Sequence, residues 1–213
     1  MNLHAPRSLE QDAICKEHIN QLPLLDFTGN IELITTEEQC HEALPALQQC
    51  PVLGFDTETR PTFRKGQFFL PSLIQLATHN HVYLFQISRF NLPAGLLEIF
   101  SSQHIVKVGA GLNYDVKQLQ QIAAFDEQSF VDIAHLATRL GIKQTGLRTL
   151  CALLFGKRLS KKARCSDWSR KHLSAEQIKY AAADAWISRE LYMALNSLLE
   201  KQNASAEPMV SGK

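Results

Sequence analysis

Short, mostly apolar runs separated by polar turns fill the first half of the chain, and helical periodicity becomes more frequent in the second half. Runs of four to six such residues are typical of buried strands, whereas apolar residues three and four positions apart indicate one face of a helix. The runs predict strands at residues 31–34, 52–57, 73–77, 82–85 and 105–109. A polar turn from Thr78 to His81 is typical of a hairpin, so we expect the second, third and fourth runs to form neighbouring antiparallel strands.

Helical periodicity and capping residues predict helices between and after these strands. Thr36 followed by Gln39 is the pattern of a capping box, and Ser174 is a favourable N-cap for a long helix that continues to about Leu199. Helices are predicted at residues 8–20, 36–49, 93–101, 113–123, after Asp132, after Thr145 as far as Gly156, and at 174–199. This order indicates an α/β fold in which a mixed sheet, with three antiparallel strands and further parallel strands, is flanked by helices.

Most predicted elements lie in residues 28–200, which we interpret as one domain because 213 residues with 45% hydrophobic content can bury a sizeable core. Residues 1–27 are interpreted as a loosely held N-terminal extension, and residues 201–213 as a disordered tail. We find no basic-then-apolar leader and no apolar run near the ~20 residues that cross a bilayer. Five scattered cysteines without a C-x-x-C pair are typical of reduced thiols. We therefore expect a soluble cytoplasmic protein with no membrane partner.

The most distinctive chemistry follows the second predicted strand. Four apolar residues, Val52 to Phe55, lead into Asp56 and Glu58, and residues two positions apart in a strand project from the same face. Two carboxylates held side by side repel each other, and a divalent cation relieves that repulsion. The alternative is a strand that simply ends in solvated polar residues. For this pair alone the alternative is favoured, because short motifs often match by chance.

A second stretch can place another carboxylate beside that strand end. Asp115 lies in the first turn of the helix that follows Gly109 and Gly111. The two glycines do not complete a dinucleotide-binding G-x-G-x-x-G, because Tyr114 occupies the third glycine position. We expect them instead to let the turn approach its neighbours closely. Considered alone, Asp115 is more simply a residue that favours the start of a helix.

A third stretch lies on the long helix, where Tyr180 and Asp184 are four positions apart and therefore share one face. The three alanines between them permit close packing on a sheet, which would bring both polar groups to the end of that sheet. A buried aspartate needs a cation or hydrogen-bond partners. The alternative is a surface Tyr and Asp beside an alanine-rich core stripe.

In combination, these three features resemble the DEDD superfamily of 3′-5′ exonucleases, in its tyrosine-bearing branch. The first motif is Asp56-Thr57-Glu58-Thr59, the second is Asn113-Tyr114-Asp115, and the third is Tyr180 with Asp184. The resemblance covers residues 31 to about 195 and is greater for Werner-type exonuclease domains than for ribonuclease D. Further shared stretches are residues 53–55, 73–76, 164–169 and 180–182. Thr59-Arg60 departs from the Werner-type continuation of the first motif.

The resemblance implies a ribonuclease H-like fold, a 3′-5′ exonuclease domain at residues 28–200, and phosphodiester hydrolysis with two divalent metal ions, Mg²⁺ or Mn²⁺. It implies that Asp56 bridges both ions, that Glu58 and Asp184 hold the ion that activates water, and that Asp115 serves the other directly or through water. Oxygen-only ligands suit these hard ions. Tyr180 is expected to orient the water rather than to act as a strong base. The implied product is a 5′-mononucleotide.

Nucleic acid with a free 3′ end is the implied partner, although the formal charge of +1 gives no global sign of it. The candidate substrate-binding residues are Thr57, Thr59, Arg64, Lys65, Arg164 and Trp168. Lys and Arg clusters after the first motif and before the last helix can contact phosphates without sequence preference, but a solvated loop is the favoured reading of any single charge. Trp168, like Phe63 and Phe68, can stack on a base, with core packing as the favoured alternative.

We therefore expect a 3′-5′ exonuclease for which DNA is slightly preferred. One alternative is a ribonuclease D-like enzyme that trims RNA 3′ ends. Another is a non-catalytic nucleic-acid-binding module with the same fold, against which the four carboxylates and Tyr180 argue. The chain lacks the additional helical domain of ribonuclease D, so a protein partner for targeting is a further expectation. The oligomeric state is left open by the sequence.

Overall fold

The computed structural model describes residues 13–206, which form six strands and seven helices. The strands are β1 Asn30–Ile34, β2 Val52–Thr59, β3 Pro71–Ala77, β4 His81–Phe85, β5 Val106–Gly109 and β6 Phe130–Asp132. The helices are α1 Lys16–Gln21, α2 Glu37–Gln48, α3 Ala94–Ser101, α4 Leu112–Ile122, α5 Ile133–Arg139, α6 Leu147–Phe155 and α7 Ala175–Ala206.

The six strands form one mixed sheet in the order β1-β4-β3-β2-β5-β6. Strands β2, β3 and β4 are antiparallel, whereas β1 joins β4, and β5 and β6 follow β2, in parallel. The predicted mixed sheet with an antiparallel triplet is confirmed. Strand β6 was not predicted, because its three half-buried residues are too few to show a periodicity.

Capping residues begin the helices at the predicted places. Gln39 N donates to Thr36 Oγ1 at the start of α2. At the start of α7, Gln177 N donates to Ser174 Oγ while Ser174 N donates to the Gln177 side chain, which completes a reciprocal capping box. The predicted end of α7 near Leu199 is wrong, because the helix continues to Ala206. Residues 200–205, most of them polar, form an exposed extension of the helix. Residues 207–213 of the predicted tail lie outside the described residues.

Helix α7 lies against the sheet because small residues remove the space between them. Ala181, Ala182 and Ala185 are fully buried on the helix face that meets the sheet. A Cβ atom at Gly54 would collide with the carbonyl oxygen of Ala185, so only glycine allows β2 to approach the helix this closely. The other side of the sheet packs on α2, α3 and α4 through a separate core that includes Phe55 and Phe100. The close contact at Gly54 thus fixes the distance between α7 and β2 and the position of the helix along the strand.

The described part of the N-terminal extension is docked on the domain rather than loosely held. Helix α1 is shorter than the helix predicted at 8–20, whose residues 8–12 lie outside the described residues. Ile19 and Leu25 are buried. Leu24 bridges Arg158 in parallel, and Leu25 N donates to Arg158 O at 2.8 Å. The prediction of a loose extension is therefore wrong for residues 13–27.

Two negative findings concern the described residues alone. Between residues 13 and 206, no helix combines the length and the apolar content needed to cross a bilayer. All five cysteines fall in this range and are free thiols, as predicted.

Candidate active site

The last half of β2 carries the two carboxylates predicted from the sequence. Phe55 points into the core shared with α2, α3 and α4, so the strand alternation turns Asp56 and Glu58 towards α7. Asp184 of α7 meets them there. Asp56, Glu58 and Asp184 each present a ligand atom, and these three atoms all lie within 4.8 Å of one another. The structure thus brings together the first and third predicted motifs.

The second motif arrives from α4. Gly109 has no room for a Cβ, which would meet Leu112 and the carbonyl oxygen of Phe55. Gly111 adopts φ +75° as the N-cap, a conformation that suits glycine. This close turn brings Asp115 to β2, where Thr57 Oγ1 donates to Asp115 Oδ1 at 2.8 Å. The expected role in close approach is confirmed for Gly109 but not for Gly111, whose Cβ would meet no atom and whose glycine instead suits its positive φ. The hydrogen bond from Thr57 to Asp115, which joins the first two motifs, was not predicted.

Tyr180 lies one turn before Asp184 and forms a side-chain hydrogen bond with it. Burial, and then the negative charges of Asp184 and Glu58, raise the pKa of Tyr180 above its ordinary value. The phenol therefore stays protonated at neutral pH and can donate or accept a hydrogen bond. The phenolate is thus not available as a base at neutral pH, and the water-orienting role of Tyr180 stays a prediction.

The carboxylates hold their protons more tightly than ordinary ones. Burial raises the pKa of Asp56 well above its usual range, and the charges of Asp184 and Asp115 raise it further. Burial, followed by the charges of these neighbours, raises the pKa of Glu58 to about 10, against which Arg164 acts weakly. These shifts report a cluster of negative charge that the described side chains do not neutralise.

The two remaining carboxyl groups show smaller shifts of the same sign. Burial raises the pKa of Asp184 to about 7, partly opposed by the hydrogen bond from Tyr180. Burial raises the pKa of Asp115 to about 6, partly opposed by Thr57. Carboxylate oxygens at this spacing are the ligands that Mg²⁺ and Mn²⁺ prefer. The donor set and its uncompensated charge therefore fit divalent cations.

A cavity of about 500 Å³ lies above the carboxylates. Asp56, Tyr180 and Asp184 form part of its wall, and Arg148, Lys161 and Arg164 supply positive charge around it. Asp115 and Glu58 do not line this cavity, but their charges act on Asp56, which does, and Arg164 of its wall acts on Glu58. A reacting anion in this space would meet both acidic and basic groups.

The predicted substrate-binding residues lie in different environments. Arg164 lines the cavity and acts electrostatically on Glu58, and its predicted contact with substrate stays a prediction. Thr57 is almost buried and gives its hydroxyl proton to Asp115, so it positions that carboxylate rather than binding substrate. Trp168 is a correction: its ring is fully buried, 6.0 Å from the Tyr180 ring, and offers no surface to a base.

The other three candidates lie on or beside the loop after β2. Thr59 is half-buried at the end of the strand, opposite Pro71. Arg64 and Lys65 are exposed on the loop, away from the main cavity, and their predicted contact with substrate stays a prediction. Phe63 is 84% exposed, so the core-packing alternative is wrong for this residue.

A second cavity of about 430 Å³ opens between this loop and the segment before α7. Phe63, Phe69 and Arg170 are among its wall residues. One ion pair spans the two sides, because Arg60 Nε of the loop lies 3.8 Å from a carboxylate oxygen of Asp167, whose other oxygen lies 4.0 Å from Arg170 Nε of its own segment. Hydrogen bonds from Ser169, more than these cations, lower the pKa of Asp167. This rim is exposed and ionised, unlike the carboxylate cluster.

Arg148 was not predicted as a site residue, because no local pattern in the sequence marks it. The residue lies in the first turn of α6, where its charge looks like that of any solvated helix residue, and only the fold brings it to the cavity.

Residues 31–200 match the protein family described as 3′-5′ exonuclease. The chain is 29% identical over 211 residues to the mouse bifunctional 3′-5′ exonuclease/ATP-dependent helicase WRN, an alignment that covers 93% of this chain and 15% of that protein. It is 32% identical over 161 residues to an Arabidopsis thaliana 3′-5′ exonuclease, covering 72% of this chain and 55% of the relative. The chain thus spans well under two thirds of the length of these relatives.

Solved structures share the fold. The Aedes aegypti Nibbler EXO domain is 25% identical, with a TM-score of 0.73 over 81% of this chain and 90% of that one. Escherichia coli RNase D is 24% identical, with a TM-score of 0.72 over 84% of this chain and 47% of that one, a likeness of fold alone.

Proposed function

We propose that this chain, which belongs to the 3′-5′ exonuclease family, hydrolyses the 3′-terminal phosphodiester of a nucleic acid and releases a 5′-mononucleotide. The observation that carries the proposal is the convergence of three distant chain segments on one cluster of carboxylates. Asp56 and Glu58 come from β2, Asp115 from α4, and Tyr180 with Asp184 from α7. A non-catalytic nucleic-acid-binding module with the same fold would not need this uncompensated cluster, which lowers stability.

Asp56, Glu58 and Asp184 are the residues that would hold one divalent cation, with Asp56 and Asp115 serving a second. When bound, two such ions stabilise the attacking and leaving oxygens of an in-line displacement at phosphorus. We propose Mg²⁺ or Mn²⁺, because every donor in the cluster is a carboxylate oxygen.

The chain's own groups have separate tasks in this reaction. Thr57 fixes the orientation of Asp115 through its 2.8 Å hydrogen bond. Tyr180, protonated at neutral pH, donates its single proton to Asp184, so its oxygen can accept a hydrogen bond from the attacking water and hold it in place. Arg164 and Lys161 border the cavity and offset the charge of an incoming phosphate.

DNA is proposed as the slightly preferred substrate. Support comes from the resemblance of the sequence to Werner-type domains and from the 29% identity to the mouse WRN protein across most of this chain. RNA 3′-end trimming is the alternative, since the E. coli RNase D neighbour is described as an exoribonuclease. We place the protein in the cytoplasm and expect a protein partner to direct it to its substrate.

Matched DNA and RNA strands, labelled at the 5′ or the 3′ end, test the proposal. In Mg²⁺ or Mn²⁺, a 3′-5′ exonuclease converts a 5′-labelled strand to a descending ladder and releases the 3′ label at once as a mononucleotide. A ladder on RNA alone would reverse the substrate preference. No degradation of either polymer, with Asp56→Ala behaving like the wild type, would refute the enzymatic function.

A further inference from the structure

The described N-terminal segment, residues 13–25, precedes the region that matches the exonuclease family, yet it contacts the walls of the catalytic cavity. Ile14 N donates to Gln144 Oε1 at 3.0 Å, just before α6. Arg158 Nε donates to Leu22 O at 2.9 Å, just after α6. The segment therefore contacts residues just before and just after α6, the helix whose first turn borders the active site.

Arg148 is the point where this segment and the cavity meet. Its Nη2 donates to Asn20 Oδ1 of α1 at 2.6 Å. The residue also lines the cavity formed with Asp56, Tyr180 and Asp184. Asn20 thus ties one side of the guanidinium to the N-terminal segment and limits where the rest of the group can lie.

The guanidinium is not satisfied by the chain itself. Its Nε is buried and has no hydrogen-bond partner within residues 13–206. A buried donor without a partner costs about 1–3 kcal/mol, so the described residues leave the hydrogen-bonding capacity of this guanidinium incompletely used. Arg164, and not Arg148, is the described cation that lowers the pKa of Glu58, so Arg148 is not a counter-ion of that carboxylate.

The surroundings of Arg148 favour an anion. Helix α6 has nine residues, and its N-cap, Gly146, provides no side-chain cap. Residues 146–149 line the cavity, so the positive end of the helix and the guanidinium act on the same space. A planar guanidinium matches two oxygens of a phosphate. The ligand chemistry that fits both features is a phosphodiester.

We propose that Arg148 contacts a backbone phosphate of the nucleic acid, and that Asn20 in the N-terminal segment is its positioning residue. The proposal rests on the proposed function, since it names a contact for the same substrate. It gives residues outside the matched family region a part in binding. Contact with a phosphate predicts an effect that does not depend on base sequence.

Binding measured without cleavage separates this proposal from the catalytic one. The probe is a fluorescent single-stranded oligonucleotide in EDTA, and the readouts are its Kd and the salt dependence of that Kd. We expect Arg148→Ala to weaken binding about tenfold and to reduce the slope of log Kd against log salt by about 1. Arg148→Lys keeps the charge but not the fork, so it should recover part of the affinity. Asn20→Ala should weaken binding by a smaller factor in the same direction.

Controls make each outcome decisive. Arg139→Ala removes an exposed arginine from the last turn of α5 and should leave Kd unchanged. Asp56→Ala should abolish cleavage in Mg²⁺ yet still bind, which distinguishes a failure of catalysis from a failure of this contact. A purely structural role would lower the Tm of Arg148→Ala and Asn20→Ala while leaving Kd and the salt slope of the folded proteins unchanged. That result, or a wild type that binds no nucleic acid, would overturn the proposal.

Discussion

Two buried charged regions lie on neighbouring strands, near opposite ends of β2, and they differ in whether the chain itself supplies partners for the charge. Lys107 of β5 pairs with Leu53 near the start of β2 and is fully buried. Its ammonium donates to Ser102 O at 2.9 Å and Ile105 O at 2.8 Å, and lies 5.0 Å from the centre of the Phe130 ring. Burial lowers the pKa of Lys107 to about 8. Every favourable contact of this charge comes from the chain itself.

The carboxylate cluster near the end of β2 has no such set of partners. Asp56, Glu58 and Asp184 repel one another, and the pKa of each is raised. Thr57 and Tyr180 each supply a hydrogen bond to a neighbouring carboxyl group, which relieves only part of the cost. A buried charge that the chain satisfies serves the fold, whereas one left unsatisfied is held for a ligand.

The largest expected effect is the loss of catalysis on removal of one cluster member. Asp56→Ala should lower the exonuclease rate by about 10³-fold or more, because several kcal/mol of transition-state stabilisation depend on the ions this residue holds. Initial rates on a 5′-labelled strand measure the effect. The folded state should not lose stability, since the substitution removes a repelled charge.

Asp126→Ala is the matched control, because Asp126 is an exposed aspartate and is not among the residues that line the cavity. Its rate should equal that of the wild type. A residual rate in Asp56→Ala within tenfold of the wild type would contradict the proposed role.

The next effect is a dependence of stability on pH in metal-free protein. The unfolded pKa of Asp184 is 3.8 and its folded pKa about 7, so the folded state holds the proton more tightly. Below about pH 4 both states are protonated; as pH rises towards 7 the unfolded chain ionises freely while the folded chain ionises against burial. The free energy of unfolding should fall across this window by at most about 4 kcal/mol.

Urea denaturation in EDTA at pH 4.5 to 7.5 measures this dependence. Asp184→Asn has no carboxyl proton to lose, so its stability should vary less over the same range. Equal slopes in the variant and the wild type would show that Asp184 is not under the electrostatic stress described here.

The contrast between the two regions also explains what could be predicted from the sequence. Asp56, Glu58, Asp115, Tyr180 and Asp184 were predicted because their three motifs in combination resemble a known family, although the spacing within the first or the second motif alone favoured a simpler interpretation. The sheet followed from the apolar runs and the hairpin signal, apart from β6, whose three residues show no period.

Contacts between segments that are distant in the sequence leave no such local signal. The exposed or buried state of Phe63 and Trp168 depends on which segment covers them. Core packing, the favoured alternative for both, holds for Trp168 and fails for Phe63. Arg148 and Asn20 are 128 residues apart, and nothing in either neighbourhood indicates that they meet. The end of α7 was placed too early because polarity was taken as disorder, although no glycine or proline interrupts residues 200–206.

A third prediction tests the satisfied charge. Lys107→Ala should lower the free energy of unfolding by roughly 3 kcal/mol, because it leaves two carbonyl oxygens without their donor and opens a cavity. The activity per folded molecule should stay unchanged. Urea denaturation and initial rates measure the two quantities, with the exposed Lys117→Ala as control. A loss of activity without a loss of stability would mean that Lys107 serves the site rather than the fold.

The smallest expected effect is stabilisation of the unsatisfied cluster by the ions it is held for. At Mg²⁺ or Mn²⁺ concentrations 100-fold above Kd, binding to the folded state alone adds about 2.7 kcal/mol, which raises the Tm of a chain of this size by roughly 5–10 °C. Thermal unfolding with and without the ion, at ionic strength matched with NaCl, measures the shift, and EDTA should reverse it. Asp56→Ala and Asp184→Asn should lose most of it, whereas Lys107→Ala should keep it in full because its charge lies outside the cluster. An equal rise in Asp56→Ala would mean that the ions bind elsewhere, and the difference drawn between the two buried charges would then no longer identify the catalytic one.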